Sequence, residues 1–203
     1  MNVTETLAAR RTVRAFRPDA VPRETVAAIL GAALHAPSWA NTQPWEVFVA
    51  AGATIERLRT ASLERTHQGV PGGGCRAVGP TRLLDLPMRL HSSVNSSKTT
   101  ADSSGRPSSS TYAWIAHSRP GRSSTWDRWA QSVMLAAQDQ GVDSAVAVNL
   151  VVYPDLVRAE LGIPEELLVL IGIALGYADP EDPEREFRSS RRTLEEAVRF
   201  CDL

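Results

Sequence analysis

Two stretches of the chain carry side chains whose type and spacing could do chemistry. Arg10-Arg11-Thr12-Val13-Arg14 concentrates positive charge at the end of a short N-terminal helical pattern. Ala36-Pro37-Ser38-Trp39-Ala40-Asn41-Thr42-Gln43-Pro44-Trp45 is a polar loop with an aromatic residue near each end. Guanidinium groups bind phosphate oxygens in a planar, bidentate fashion, and such charge-assisted bonds are about twice as strong as neutral ones. A polar loop bracketed by tryptophans offers donors and an apolar bed to a flat ring. A helical run separates the two stretches, so together they suit a ligand with a phosphate at one end and a heterocycle at the other.

The elements that must position them follow from periodicity and caps. Asn2 with Glu5 three residues later reads as a capping box, opening a helix that runs to about Arg10. Phe16-Arg17-Pro18 interrupts it, because the residue before proline is pushed out of helical space. Val26, Ile29, Leu30, Ala33 and Leu34 then form one face of an amphipathic helix that ends before Pro37. Glu46 to Ala51 reads as a strand, with Trp45 beside it as a core residue. A helix follows with Ile55, Leu58 and Leu63 turned inward.

Trp126 to Ala137 reads as a buried helix closed by Gly141, Ser144 to Val152 as a strand, and Pro154 as the first turn of a helix stopped by Gly162 and Pro164. Leu167 to Leu175 is a continuous apolar run, most simply a central strand. The acidic turn Asp179 to Glu186 precedes Arg188, Arg191 and Arg192, and Thr193 with Glu196 caps a last helix. Helices and strands interleave without steady alternation, which argues for an α+β fold with a sheet packed between helices.

Composition bounds the rest. The 203 residues suit a single domain over 1–203, and a net charge of -1 gives no reason to expect nucleic acid or an anionic membrane. Lys98 is the only lysine among the basic residues. No apolar run approaches the roughly 20 residues that span a bilayer, and the N-terminal residues lack a leader pattern. Cys75 and Cys201 are too few for a disulfide framework, so a reducing cytoplasm is expected. His35, His67, His91 and His117 have no ligand spacing, and no metal is expected. Gly72-Gly73-Gly74 lacks the preceding strand and following Lys-Ser/Thr of a phosphate loop, and no Gly-x-Ser-x-Gly elbow occurs.

The arginine stretch and the Ala-Pro-Ser-Trp-Ala-Asn-Thr-Gln-Pro-Trp loop resemble the opening signature of the FMN-dependent nitroreductases. Leu135-Ala136-Ala137 with Gly141, and Gly172 to Tyr177 with Arg188 to Leu194 after it, resemble that family's later pattern. The resemblance covers about 1–66 and 126–203. It implies the α+β nitroreductase fold, dimeric with extended arms, with FMN at each subunit interface of a homodimer. By position, Arg10, Arg11, Thr12 and Arg14 would line the phosphate and ribityl side. Pro37, Ser38, Trp39 and Asn41 would follow the ribityl chain and ring, several of them from the other subunit, and Arg191 would close on the phosphate.

The implied activity is ping-pong hydride transfer from NAD(P)H to nitroaromatics, quinones or similar two-electron acceptors. Such transfer requires stacking of the reactants in turn and no catalytic side chain. The alternatives are a non-catalytic or degenerate flavin-binding homologue, and other flavin chemistry on the same fold, namely flavin fragmentation or reductive dehalogenation.

The segment 71–125 departs from that pattern. No Glu occurs between Glu64 and Glu160, and Ser, Arg, Gly and Pro dominate, as in a linker or disordered segment. Abrupt loss and return of pattern is what two compensating frameshifts in a GC-rich gene would produce. The expectation is therefore a segment without helical or strand period, either disordered or read out of frame.

Overall fold

The computed structural model describes residues 1–73, 111–117 and 123–201. Its sheet among these residues has four strands: β1 (Trp45–Ala50), β2 (Thr111–His117), β3 (Asp143–Ala147) and β4 (Leu168–Gly176). They lie in the order β1-β2-β4-β3, and every pairing is antiparallel. Phe48 stands opposite Trp114, Trp114 opposite Gly172, and Val146 opposite Ile173. The helices are α1 (Val3–Ala9), α2 (Arg23–Ala33), α3 (Ala53–His67), α4 (Ser123–Asp139), α5 (Pro154–Leu161) and the single turn α6 (Leu194–Ala197).

The two-residue period of the strands divides the core between two faces. Ile115, Ile171, Ile173 and Leu175 turn towards α2 and α4, where they meet Ile29, Ala33, Trp129, Val133 and Ala137. Tyr112, Trp114, Ala116 and Ala174 turn the other way, beneath Ile55 and Leu58 of α3 and Val157 of α5. The buried positions 129, 133 and 137 of α4 recur every four residues, one stripe of a helix. Gly141 ends that helix at φ +71, where Val142 N–H returns to the Ala137 carbonyl at 2.8 Å. Among the described residues no helix is long and apolar enough to cross a membrane.

Local signals were reliable. Both capping boxes form: Glu5 N–H donates to Asn2 Oδ1 at 2.9 Å, and Glu196 N–H to Thr193 Oγ1 at 3.3 Å. Pro154 opens α5, and Gly162 closes it at φ +63. Trp45 is buried, as expected of a core residue.

Two expectations fail. The stretch 144–152 is not one strand: β3 stops at Ala147, and Val148–Val151 turns as a 3-10 helix. Gly172 of β4 explains the departure. A Cβ there would come within 2.6 Å of Leu150 Cβ, so the missing side chain lets Leu150 fold over the sheet. Trp114 Nε1–H then donates to the Leu150 carbonyl at 3.1 Å.

The second failure lies at 111–117, inside the segment expected to lack any period. β2 is an interior strand, hydrogen-bonded on both edges, and Tyr112 to Ala116 are all buried. A strand buried on both faces shows no apolar–polar alternation, which is why the pattern hid it. Helix α4 likewise begins at Ser123, before Trp126. Residues 74–110 and 118–122, including Cys75, His91 and Lys98, lie outside the described residues.

Candidate functional site

The arginine stretch leaves α1 at Arg10, whose backbone turns to φ -57, ψ 129, and runs on along the end of the sheet. Thr12 forms a parallel bridge with Ser144, and Val13 N–H donates to the Ser144 carbonyl at 3.0 Å. Phe16 forms an antiparallel bridge with Ala178, Arg17 N–H donates to the Tyr177 carbonyl at 2.8 Å, and Asp179 N–H to the Ala15 carbonyl at 3.0 Å. Asp143 Oδ2 accepts from Ala178 N–H at 3.0 Å and ties the two supporting segments together. The stretch is therefore stitched between the start of β3 and the exit from β4.

Extended backbone sends successive side chains to opposite sides. Val13 and Ala15 are buried, while Thr12 and Arg14 are exposed. Arg10 is in phase with Thr12 and Arg14, and its Nη1 lies 4.0 Å from the Met134 sulfur of α4. Arg11 is half-buried. Its stretch and the acidic turn, Asp179 with Asp182, enclose a concavity of about 10 Å³. That is room for about one water, far too little for a phosphate. Asp179 is only 8% exposed and accepts from Glu181 N–H at 2.9 Å. Thr12 and Arg14 are exposed and Arg10 and Arg11 half-buried, and Arg11, Thr12 and Arg14 all border the concavity beside Asp179 and Asp182.

The loop after α2 is anchored by buried Ala33 and Ala36 at one end and by Trp45 at the other. Between them Ala40, Asn41 and Gln43 adopt φ of 47°, 53° and 41°. Left-handed backbone costs an L-residue about 1–2 kcal/mol, less for asparagine. Four hydrogen bonds hold it: Asn41 N–H to the Ser38 carbonyl (3.2 Å), Thr42 N–H to the Trp39 carbonyl (3.0 Å), Gln43 N–H to Ser38 Oγ (3.0 Å), and Gln43 Nε2 to Asn41 Oδ1 (3.1 Å). Such strain concentrates at functional sites. Pro37 and Asn41 are exposed, Ser38 is half-buried, and Trp39 is 60% exposed.

Arg191 belongs to a C-terminal arm, and its Nη1 donates to the Ser189 carbonyl (3.1 Å), Ser189 Oγ (2.6 Å) and the Ser190 carbonyl (3.0 Å). Within one protomer the structure does not bring Arg191 to the Arg10–Thr12–Arg14 stretch through these bonds. The arm and α1 share one property: Phe187, Leu194, Val198 and Phe200 on the arm, and Val3 and Leu7 on α1, are large apolar side chains left exposed.

A larger cavity, about 370 Å³, lies on the opposite face among Leu58, Tyr112, Trp114, Leu150, Tyr153 and Val157. Its polar heads are occupied: Trp114 by Leu150, Tyr153 by the Val70 carbonyl at 3.0 Å, and Arg59 by Glu56 at 2.9 Å. It is an apolar slot without a converging set of charged groups. The residues reasoning from sequence did not connect to the site are Ser144, Ala178, Asp179 and Asp182. The acidic turn itself was a visible signal, but its partner stretch lies more than 160 residues away in the chain.

The antiparallel sheet between helices, with a basic stretch stitched to its end, defines an α+β domain of nitroreductase type. The model of the Nitroreductase family matches residues 7–177, and the chain belongs to that family. It is 35% identical over 209 residues to Nitroreductase NfnB of Mycolicibacterium smegmatis, covering 94% of this chain and 89% of that protein. It is 32% identical to the Nitrobenzene nitroreductase of Ectopseudomonas oleovorans, covering 94% and 93%. Among solved structures, the FMN-dependent nitroreductase NfnB from Mycobacterium smegmatis in complex with NADPH superimposes with a TM-score of 0.79 at 30% identity, covering 98% of this chain and 97% of that one. The FMN- and NADPH-dependent NfnB of Sphigopyxis sp. strain HMH gives 0.80 at 26% identity, with both chains fully covered.

Proposed function

We infer that this protein is an FMN-dependent NAD(P)H oxidoreductase that reduces nitroaromatics, quinones or similar two-electron acceptors by a ping-pong route. The observation that carries the reading is the run of donors along the stretch, exposed Thr12 and Arg14 with half-buried Arg10, held in place by the Thr12–Ser144 bridge. Two guanidinium groups and a hydroxyl suit the near-dianionic phosphate ester of FMN, since all three present donors and none must first lose a proton. When bound, FMN supplies the two-electron redox chemistry between NAD(P)H and the acceptor. Arg10, Thr12 and Arg14 would bind and orient its phosphate. Pro37, Ser38, Trp39 and Asn41 would line its ribityl chain and ring, with Arg11 bracing the stretch from behind. The solved NADPH complex of the M. smegmatis relative makes NADPH the first donor to test.

The working form is a homodimer in the cytoplasm. Exposed apolar side chains clustered on the arm and on α1 are what a second copy would cover, and clusters of this kind mark interaction surfaces more often than scattered ones do. In that assembly Arg191 would close on the phosphate, and several of Pro37, Ser38, Trp39 and Asn41 would come from the other subunit. Freshly purified protein should be yellow, with flavin bands in the visible spectrum. It should oxidise NAD(P)H only when a nitroaromatic or quinone is present, with parallel lines in double-reciprocal plots. Colourless protein that added FMN does not activate would refute this reading, and yellow protein inert towards every acceptor would leave the non-catalytic alternative.

The chain acts as one domain over 1–203. Its Ser/Arg/Gly/Pro-rich segment we read as translated out of frame between two compensating shifts, the second before Thr111, because β2 is paired on both edges. Resequencing the gene decides the matter: a shifted frame should restore a helical, Glu-containing middle, and the idea is dead if none does.

A further inference from the structure

We propose that Gln43 is a positioning residue: its side-chain amide clamps the carboxamide of Asn41 so that the donor end of Asn41 is the end left to meet the cofactor. The inference rests on the reading that FMN lies against this loop. An asparagine carboxamide has one acceptor end and one donor end, and rotation by half a turn exchanges them at almost no steric cost. Here Gln43 Nε2 donates to Asn41 Oδ1 at 3.1 Å, which engages the acceptor end and leaves the Nδ2 hydrogens for a ligand acceptor such as a ring carbonyl.

The backbone serves the same clamp. Asn41 and Gln43 are two apart, and both lie at positive φ. Gln43 N–H is fastened to Ser38 Oγ at 3.0 Å, which fixes the origin of the clamping side chain. Pro44 and buried Trp45 hold the following backbone at the head of β1. Gln43 is thus held at an unfavourable φ by its own main chain while its side chain acts on a neighbour. Its Nε2 donates to Asn41 Oδ1, and it is through that bond that Gln43 acts on a ligand.

The test is a double-mutant cycle on the full chain, titrating apoprotein with FMN and with riboflavin by fluorescence quenching. Gln43→Gly removes the clamp while accepting the positive φ. It should weaken both ligands about equally, by about tenfold, because the lost orientation concerns the ring end and not the phosphate. In an Asn41→Ala background the same change should have little further effect. The melting temperature of the apoprotein should change little, since the Asn41 and Gln43 side chains are both exposed. Equal losses in the two backgrounds, or no loss in either, overturn the proposal while FMN binding by the unaltered protein stands. Absence of FMN binding by the unaltered protein removes the functional reading beneath it, and the proposal with it.

Discussion

Arg14→Ala should weaken FMN binding by about 10- to 100-fold while leaving riboflavin binding nearly unchanged. Arg14 is exposed on the same side of its stretch as Arg10 and Thr12, and the bridges at Thr12 and Phe16 hold the backbone between them. A hydrogen bond to a charged group contributes about 1.5–3 kcal/mol, and each 1.4 kcal/mol is tenfold in affinity. Arg14→Lys should fall between, because an ammonium keeps the charge but loses the planar fork. The loss should shrink as salt is raised, since the site is open to solvent. Arg11→Ala serves as the contrast. Arg11 is half-buried and in phase with buried Val13 and Ala15, so its removal should lower stability more than FMN affinity. Equal losses of FMN and riboflavin on changing Arg14 would mean that it does not hold the phosphate.

The largest stability effect should come from Phe16→Ala, a loss of about 3–5 kcal/mol and of about 10 °C or more in melting temperature. Phe16 is 1% exposed, and it packs on Gly176 so closely that a Cβ there would lie 2.7 Å from Phe16 Cδ1. The ring fills the gap at the exit of β4, and its backbone carries the bridge to Ala178. Truncation leaves a cavity against Gly176, where no side chain can relax inward. The same change loosens the arginine stretch, so FMN affinity should fall as well, and saturating FMN should recover part of the lost melting temperature. Calorimetry with and without FMN checks both. A melting temperature within about 3 °C of the unaltered protein would show that the stretch is held by other contacts.

Much of this molecule was legible in the chain because the relevant signals act over a few residues. The capping boxes at Asn2–Glu5 and Thr193–Glu196, Pro154 and Gly162 at the two ends of α5, and Gly141 closing α4 each depend on neighbours within a turn or two. The arginine stretch and the Asn-Thr-Gln-Pro-Trp loop were equally local, and they sufficed to place the chain in its family.

What the tertiary structure decided lies in pairings between distant segments. The bond from Val13 to Ser144 spans more than 130 residues, and no local rule foretells which face of the arginine stretch it turns outward. That pairing leaves Thr12 and Arg14 exposed and buries Val13 and Ala15, a choice invisible in consecutive letters. Gly172 is an ordinary glycine in sequence, and only Leu150 lying over it shows why β3 ends early. The strand 111–117 escaped notice because burial on both faces erases alternation, and its role as an interior strand exists only through β1 and β4. Propensity and capping are properties of short segments. Burial and side-chain direction are set by whatever the rest of the chain brings alongside.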